Sequence, residues 1–218
     1  MKEMKTILYY SHAMDEFTEA EWEQMIELLP PKRRERVEKT RHPEAKKELI
    51  FAYILLLYGM QEAFGSWESR DFTYGENGKP VIEGADFHFN MSHTKGAAAC
   101  ILSPKEAGVD IQQYIKPSKG LIRRVCSASE QEQLAKSTEE IQLFTKYWTR
   151  KEACVKCMGT GIWDHMEQLD FSEDNSQFRE YEVHTILEEN YGVSSCSFER
   201  IDDCRCIKKD EIMRIIIK

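Results

Sequence analysis

The spacing of apolar and polar positions changes several times along the chain, and each change marks an element. Lys5-Thr6-Ile7-Leu8-Tyr9-Tyr10 reads as an opening strand. Thr18-x-x-Glu21 makes a capping box for a short helix carrying Trp22, Met25, Ile26 and Leu29, which Pro30-Pro31 ends. Pro43 opens a long helix whose Ala45, Leu49, Ala52, Tyr53, Leu56, Met60 and Phe64 are spaced to face a core. Asn77-Gly78 signals a hairpin turn between Phe72-Thr73-Tyr74 and Val81-Ile82. Phe87, Phe89 and Met91 alternate with His88, Asn90 and Ser92 as a half-buried strand ending at His93. Gly96 to Leu102 is a second, mostly apolar strand, and Gly108 to Gln112 a third after the turn at Pro104.

In the third strand Val109 and Ile111 face one way, so Asp110 and Gln112 share the other face. An acid set among β-branched residues either caps a turn or holds something, and Mg²⁺, which takes carboxylate oxygen and water, is a natural candidate. Ser127-x-x-Glu130 begins a helix with Glu130 as its capping partner, and Ser137-x-x-Glu140 begins another along which Ile141, Phe144, Trp148 and Val155 recur. Glu152 and Lys156 stand four apart on one face of that helix, where the ordinary reading is a surface ion pair. Gly159 and Gly161 let the chain leave, as a simple cap or as backbone close to a ligand. From Phe178 to Lys218 the pattern reads as sheet: Tyr181 to Leu187, Cys196 with Phe198, and Met213 to Ile217. Each half, split near Ser103-Pro104, mixes helices with antiparallel-looking strands, so the fold class expected is α+β in two lobes.

Composition narrows what such a chain does. Its 218 residues, 41% of them hydrophobic, suffice for one large domain or two small ones. Thirty basic against 38 acidic residues leave a net charge of −8, which argues against general nucleic-acid binding. Against that background Lys32, Arg33, Arg34, Arg36, Lys39 and Arg41, extended by Lys46 and Lys47, read equally as a solvated helix face or as a dock for an anion. The longest apolar run, Leu49 to Met60, is too short to span a bilayer and reads as a buried helix face. The N-terminus has no signal-peptide shape, and seven cysteines without one point to a reducing cytoplasm. Cys154-x-x-Cys157 and Cys204-x-Cys206 are poor zinc half-sites, since the first pair lies inside a helix with no matching second CxxC. A CxxC redox protein would need a strand before the motif, and none precedes it.

Gly78-Lys79-Pro80, Phe89-Asn90-Met91-Ser92-His93, Gly108-Val109-Asp110-Ile111, Trp148-Thr149-x-Lys151-Glu152-Ala153-x-x-Lys156 and Gly159-x-Gly161 follow one another in this order. Together they resemble the Sfp-type 4′-phosphopantetheinyl transferases, from the basic run near Lys32 to about Ile162. The resemblance implies two similar lobes related by a pseudo-twofold, residues 1–104 with the coenzyme A phosphate and adenine contacts and residues 105–218 with the metal-binding carboxylates and catalytic helix. It implies transfer of the 4′-phosphopantetheine arm of coenzyme A to a serine of an apo acyl or peptidyl carrier protein, with release of adenosine 3′,5′-bisphosphate. By the same resemblance Asp110 and Glu152 hold Mg²⁺, Glu152 takes the serine proton directly or through a metal-bound water, and Lys156 serves the leaving phosphate. Ser92 and His93 contact coenzyme A phosphates, His93 counting among the catalytic positions. Lys79 and Pro80 sit by the adenine, while Arg33, Arg36 and Lys47 align with binders of the 3′-phosphate. Many relatives carry Glu where this chain has Gln112, so Gln112 contributes to the metal at most through a water, and Mg²⁺ binding is expected to be weaker or more tolerant of Mn²⁺. A monomer without nucleic-acid or membrane partners, with leanings to secondary metabolism, completes the expectation. The alternative is a degenerate module that binds coenzyme A without turning it over.

Overall fold

A computed structural model describes residues 4–66, 68, 70–75, 77–160, 165–173 and 180–217, and among these the chain is an α+β protein. Strand β1 (Ile7–Ser11) leads to helices α1 (Glu19–Glu27), α2 (Pro31–Lys39) and α3 (Pro43–Phe64). The hairpin β2 (Thr73–Tyr74) and β3 (Pro80–Val81) follows, then β4 (His88–Thr94), β5 (Ala97–Ser103) and β6 (Ala107–Gln113). Helices α4 (Lys119–Val125), α5 (Ala128–Lys136) and α6 (Glu140–Met158) come next, and β7 (Glu182–Leu187), β8 (Tyr191–Ser197), β9 (Asp203–Cys206) and α7 (Lys209–Ile216) finish the chain.

Two sheets lie against each other, each with a long helix on its far side. The first runs β4-β5-β1-β9 and the second β6-β8-β7. Alternation along the strands sorts the side chains. Tyr9, Phe89, Ala98, Cys100 and Leu102 pack toward α3, while Leu8, Tyr10, Ala97, Ala99 and Ile101 meet Val109, Ile111 and Val193 of the second sheet. The other face of the second sheet, with Cys196 and Val183, packs on Phe144, Ala153 and Val155 of α6.

Helix α3 differs from the one-faced helix its spacing suggests. Every residue from Ile50 to Met60 is buried, because α1, α2 and α7 cover the sides the sheet does not. Ala45 and Leu49 are only half-buried, and Phe64 is 42% exposed. Each fully buried leucine or isoleucine here contributes about 1.5–3 kcal/mol, so this helix is the main anchor of the first sheet. Among the described residues no helix is long and apolar enough to cross a membrane.

Strand β4 is buried on both faces rather than one. Asn90 and Ser92 point at β6 and bond it: Val109 N–H donates to Asn90 Oδ1 at 3.0 Å, and Ser92 Oγ donates to Asp110 at 2.7 Å. The polar half of the alternation therefore forms the seam between the two sheets.

The N-terminal capping boxes at Thr18/Glu21 and Ser127/Glu130 form as expected, and Gly78 takes the hairpin turn with φ +76°. Two expectations fail. Ser137 does not cap α6; it closes α5, its hydroxyl accepts from Glu139 N–H, and among the described residues no side chain caps α6, which starts at Glu140. Met213 to Ile217 is not a strand: Ile212 and Ile215 are buried on one face of α7, whose first turn is fastened by Lys208 N–H donating to Glu211 at 2.9 Å. The isoleucine run suggested β structure, but its burial has a period of three. Residues 203–216 return to the first half of the chain, β9 pairing in parallel with β1 and α7 packing on α3. Gly161, Ile162, Phe178 and Lys218 lie outside the described residues.

Candidate functional site

The strand-to-helix contact at Gly108 sets the geometry of the site. A Cβ there would stand 2.1 Å from the carbonyl oxygen of Ala153 and 2.4 Å from the amide nitrogen of Cys157, so only glycine lets α6 lie this close to β6. The close approach brings Glu152 and Lys156 over Asp110, two residues along the strand.

Asp110 is 1% exposed and fully engaged. Its Oδ1 accepts from Lys156 Nζ at 2.6 Å and from Ser92 Oγ at 2.7 Å; its Oδ2 accepts from the Gln112 amide at 3.2 Å. Lys156 Nζ also donates to Ser92 Oγ at 3.0 Å and to the Val109 carbonyl at 3.2 Å. The Glu152/Lys156 spacing thus does not make the usual surface pair, because the ammonium crosses to the strand instead. Glu152 is left half-buried beside Asp110. Burial first, and the Asp110 charge second, push its carboxyl above the ordinary glutamate value, with Lys156 pulling the other way.

Glu152 and Lys156 line a cleft of about 320 Å³ with Asn90 and Met91 from β4 and Gly78, Lys79 and Pro80 from the hairpin. The hairpin tip is tied to the helix end: Asn77 donates to the carbonyl of Gly159, which caps α6 at φ +67°. Lys79 is held in the wall by an ion pair with Glu106 and a 3.2 Å bond to the Ala107 carbonyl.

The remaining candidates are more dispersed. His93 faces α3, with Nδ1 3.1 Å from Glu48 Oε2; desolvation lowers its pKa, Glu48 opposes that, and Lys156 and Arg33 add to it. Arg33 is turned inward. Its guanidinium lies over Tyr53 and Phe72 and donates to the Leu49 carbonyl at 2.9 Å, and burial lowers its pKa to about 10. Its buried Nε has no hydrogen-bond partner among the described residues. Arg36 is exposed on the next turn, and Lys47 pairs with Glu19 at 2.9 Å above the Trp22 ring.

One pair escaped the sequence reading. Lys151 and Glu130 form an ion pair at 2.5 Å with both side chains fully buried. Glu130 is therefore more than a capping partner: it also accepts from Phe171 N–H at 2.8 Å. A lysine among the buried faces of α6, between Arg150 and Ala153, was the available signal. Cys154 and Cys157 are buried with Cys196 in the core, and no group of three potential metal ligands is found among the described residues.

A family model described as the 4′-phosphopantetheinyl transferase superfamily matches residues 106–203, the stretch holding Asp110, Glu130, Lys151, Glu152 and Lys156. Over 150 residues, 66% of each chain, this protein is 28% identical to 4′-phosphopantetheinyl transferase Sfp of Bacillus subtilis (strain 168). The chain is thus similar to the Sfp-type 4′-phosphopantetheinyl transferases. Another relative, 4′-phosphopantetheinyl transferase AcpT of Salmonella typhimurium (strain LT2), is 39% identical over 100 residues, 43% of this chain and 52% of the relative. The L-aminoadipate-semialdehyde dehydrogenase-phosphopantetheinyl transferase of Mus musculus is 24% identical over 170 residues, 70% of this chain and 55% of the relative. The chain thus spans about half to two thirds of the length of these relatives.

Proposed function

We propose that this protein transfers the 4′-phosphopantetheine arm of coenzyme A to a serine hydroxyl of an apo acyl or peptidyl carrier protein. The observation that carries the reading is that Glu152 and Lys156 line one cleft with Gly78-Lys79-Pro80, while Lys156 is bonded beneath it to Asp110 and Ser92. In the reaction the serine oxygen bonds to the phosphorus that bears the pantetheine arm, and the bond to the adenosine 3′,5′-bisphosphate oxygen breaks. Glu152, its carboxyl raised above the ordinary glutamate value by burial and then by Asp110, would accept the serine proton. Lys156 is the cation nearest Asp110 and serves the departing phosphate, as electrostatic stabilisation dominates phosphoryl transfer. Ser92 and His93 from β4, Lys79 with Pro80 from the hairpin, and Arg36 with Lys47 are the binding positions. Arg33 acts from beneath, its unpartnered Nε being the donor left for a ligand.

The donor set suits Mg²⁺. Two carboxylates face one ammonium; burial first and repulsion from Asp110 second raise Glu152, and the repulsive part is what a divalent cation would relieve. Asp110 and Glu152 would hold the ion, Gln112 standing beside them, and when bound it supplies charge neutralisation at the pyrophosphate. Residues 1–104 and 105–218 remain the proposed lobes, amended so that 203–216 belong with the first. A cytoplasmic monomer is part of the same reading; the seven free cysteines suit its reducing compartment.

The test is intact-mass analysis of a panel of apo carrier proteins incubated with the protein, coenzyme A and Mg²⁺. A gain of one phosphopantetheine mass, lost with chelator and in Glu152→Ala, supports the transferase. No gain on any carrier, with coenzyme A still bound, supports the binding module instead.

A further inference from the structure

Glu48 stands in an unexpected place. It lies on α3 between Lys47 and Leu49, in surroundings otherwise supplied with cations, and its Oε2 is 3.1 Å from His93 Nδ1. Its side chain is 19% exposed and that of His93 35%, so the pair is partly sunk while the ring stays reachable. The charged groups facing the imidazole are Glu48 from α3, Lys156 from α6 and Arg33 from α2. Both cations and burial oppose a proton on the ring, and Glu48 alone favours it.

A carboxylate here repels a phosphate directly, so it costs binding unless it does something through its neighbour. The bond at Nδ1 provides that action. It fixes the tautomer with Nδ1–H toward Glu48, which leaves Nε2 facing away, and it stabilises the doubly protonated ring. An arriving phosphate acts in the same direction as Glu48 and against Lys156 and Arg33.

We propose that Glu48 is a positioning residue for coenzyme A, orienting His93 so that Nε2 meets a phosphate of the co-substrate and coupling that binding to uptake of one proton from solvent at Nε2. The proposal rests on the functional reading above. No covalent bond changes; a proton moves from water to nitrogen.

Glu48→Gln separates the two parts of this role, because an amide oxygen still accepts from Nδ1–H but carries no charge. Calorimetric titration of the whole protein with coenzyme A, in two buffers of different ionisation enthalpy at pH 7.5, reads proton uptake. Wild type should take up close to one proton and Glu48→Gln clearly less. The KM for coenzyme A in the variant relative to wild type should be smallest at the acid end of the accessible range, where the ring's proton depends least on Glu48, and rise to about 5-fold at pH 8. Titration of coenzyme A's own phosphates is common to both proteins and cancels in that ratio. The rise in KM should exceed any fall in kcat, and Glu48→Gln should add nothing in a His93→Gln background. Equal proton uptake in both proteins, or a KM ratio independent of pH, overturns the proposal alone. Failure of the wild type to bind coenzyme A overturns the functional reading and this proposal together.

Discussion

Helix α6 carries two lysines that each pair with a carboxylate, and the two pairs meet water differently. Lys151 donates to Glu130, to the Val125 carbonyl at 2.6 Å and to the Met166 carbonyl at 3.1 Å, with both members of the pair fully buried. Lys156 donates to Asp110, Ser92 and the Val109 carbonyl, and keeps 27% of its side chain exposed at the cleft. Both ammonium groups have three acceptors, so hydrogen-bond count does not distinguish them. Charge does. Glu130 and Lys151 balance one to one, whereas Asp110 and Glu152 are two carboxylates to one ammonium. The closed pair fastens the helix to α5 and the loop at Phe171, and the open one is left with a negative excess beside the cleft.

Breaking the closed pair should have the largest effect. Lys151→Met leaves Glu130 buried without its cation, and a loss of about 3–5 kcal/mol is expected, read as a fall in the urea midpoint. An unchanged midpoint would mean that the pair does not hold the helix.

Glu152→Gln should show the opposite profile, with kcat lower by about 100-fold or more and the fold intact. Its stability also has a pH signature. A carboxyl held above its ordinary value favours folding while protonated, so wild type loses that contribution as pH climbs from the unfolded-state value through the raised one. In chelator the variant should match wild type near pH 4 and exceed it at pH 8; parallel curves would contradict the placement of Glu152 against Asp110.

The smallest change sharpens the open site. Gln112→Glu adds a third carboxylate where an amide now donates to Asp110. Calorimetric titration with Mg²⁺ alone should then show binding tighter by about 3-fold or more. Weaker binding would show that the Gln112 amide, rather than a vacancy for charge, organises Asp110.

Much of this could be read beforehand where local rules act alone. The caps at Thr18 and Ser127, the Asn77-Gly78 turn and the shared face of Asp110 and Gln112 depend on neighbours within a few residues. What escaped was decided by distant packing. Asn90 and Ser92 look solvent-facing until a second sheet arrives beside them, and Lys151 looks exposed until α5 supplies Glu130. The isoleucines of α7 have strand-like chemistry, but α3 accepts them only as a helix. Arg33 belongs to a basic run, yet Tyr53 and Phe72 draw its guanidinium inward.

The pairing of β9 with β1 has a consequence for synthesis. Until residue 206 has left the ribosome, β1 is an open edge of the first sheet, with Tyr9 and Tyr10 among its buried side chains. At about 5–20 residues per second the nascent chain carries that edge, from the completion of β5 to that of β9, for roughly 5–20 s, an interval in which another strand could occupy it. The inner place of β1 in its sheet is therefore completed only by a strand made almost two hundred residues after it, which takes over as the outer strand.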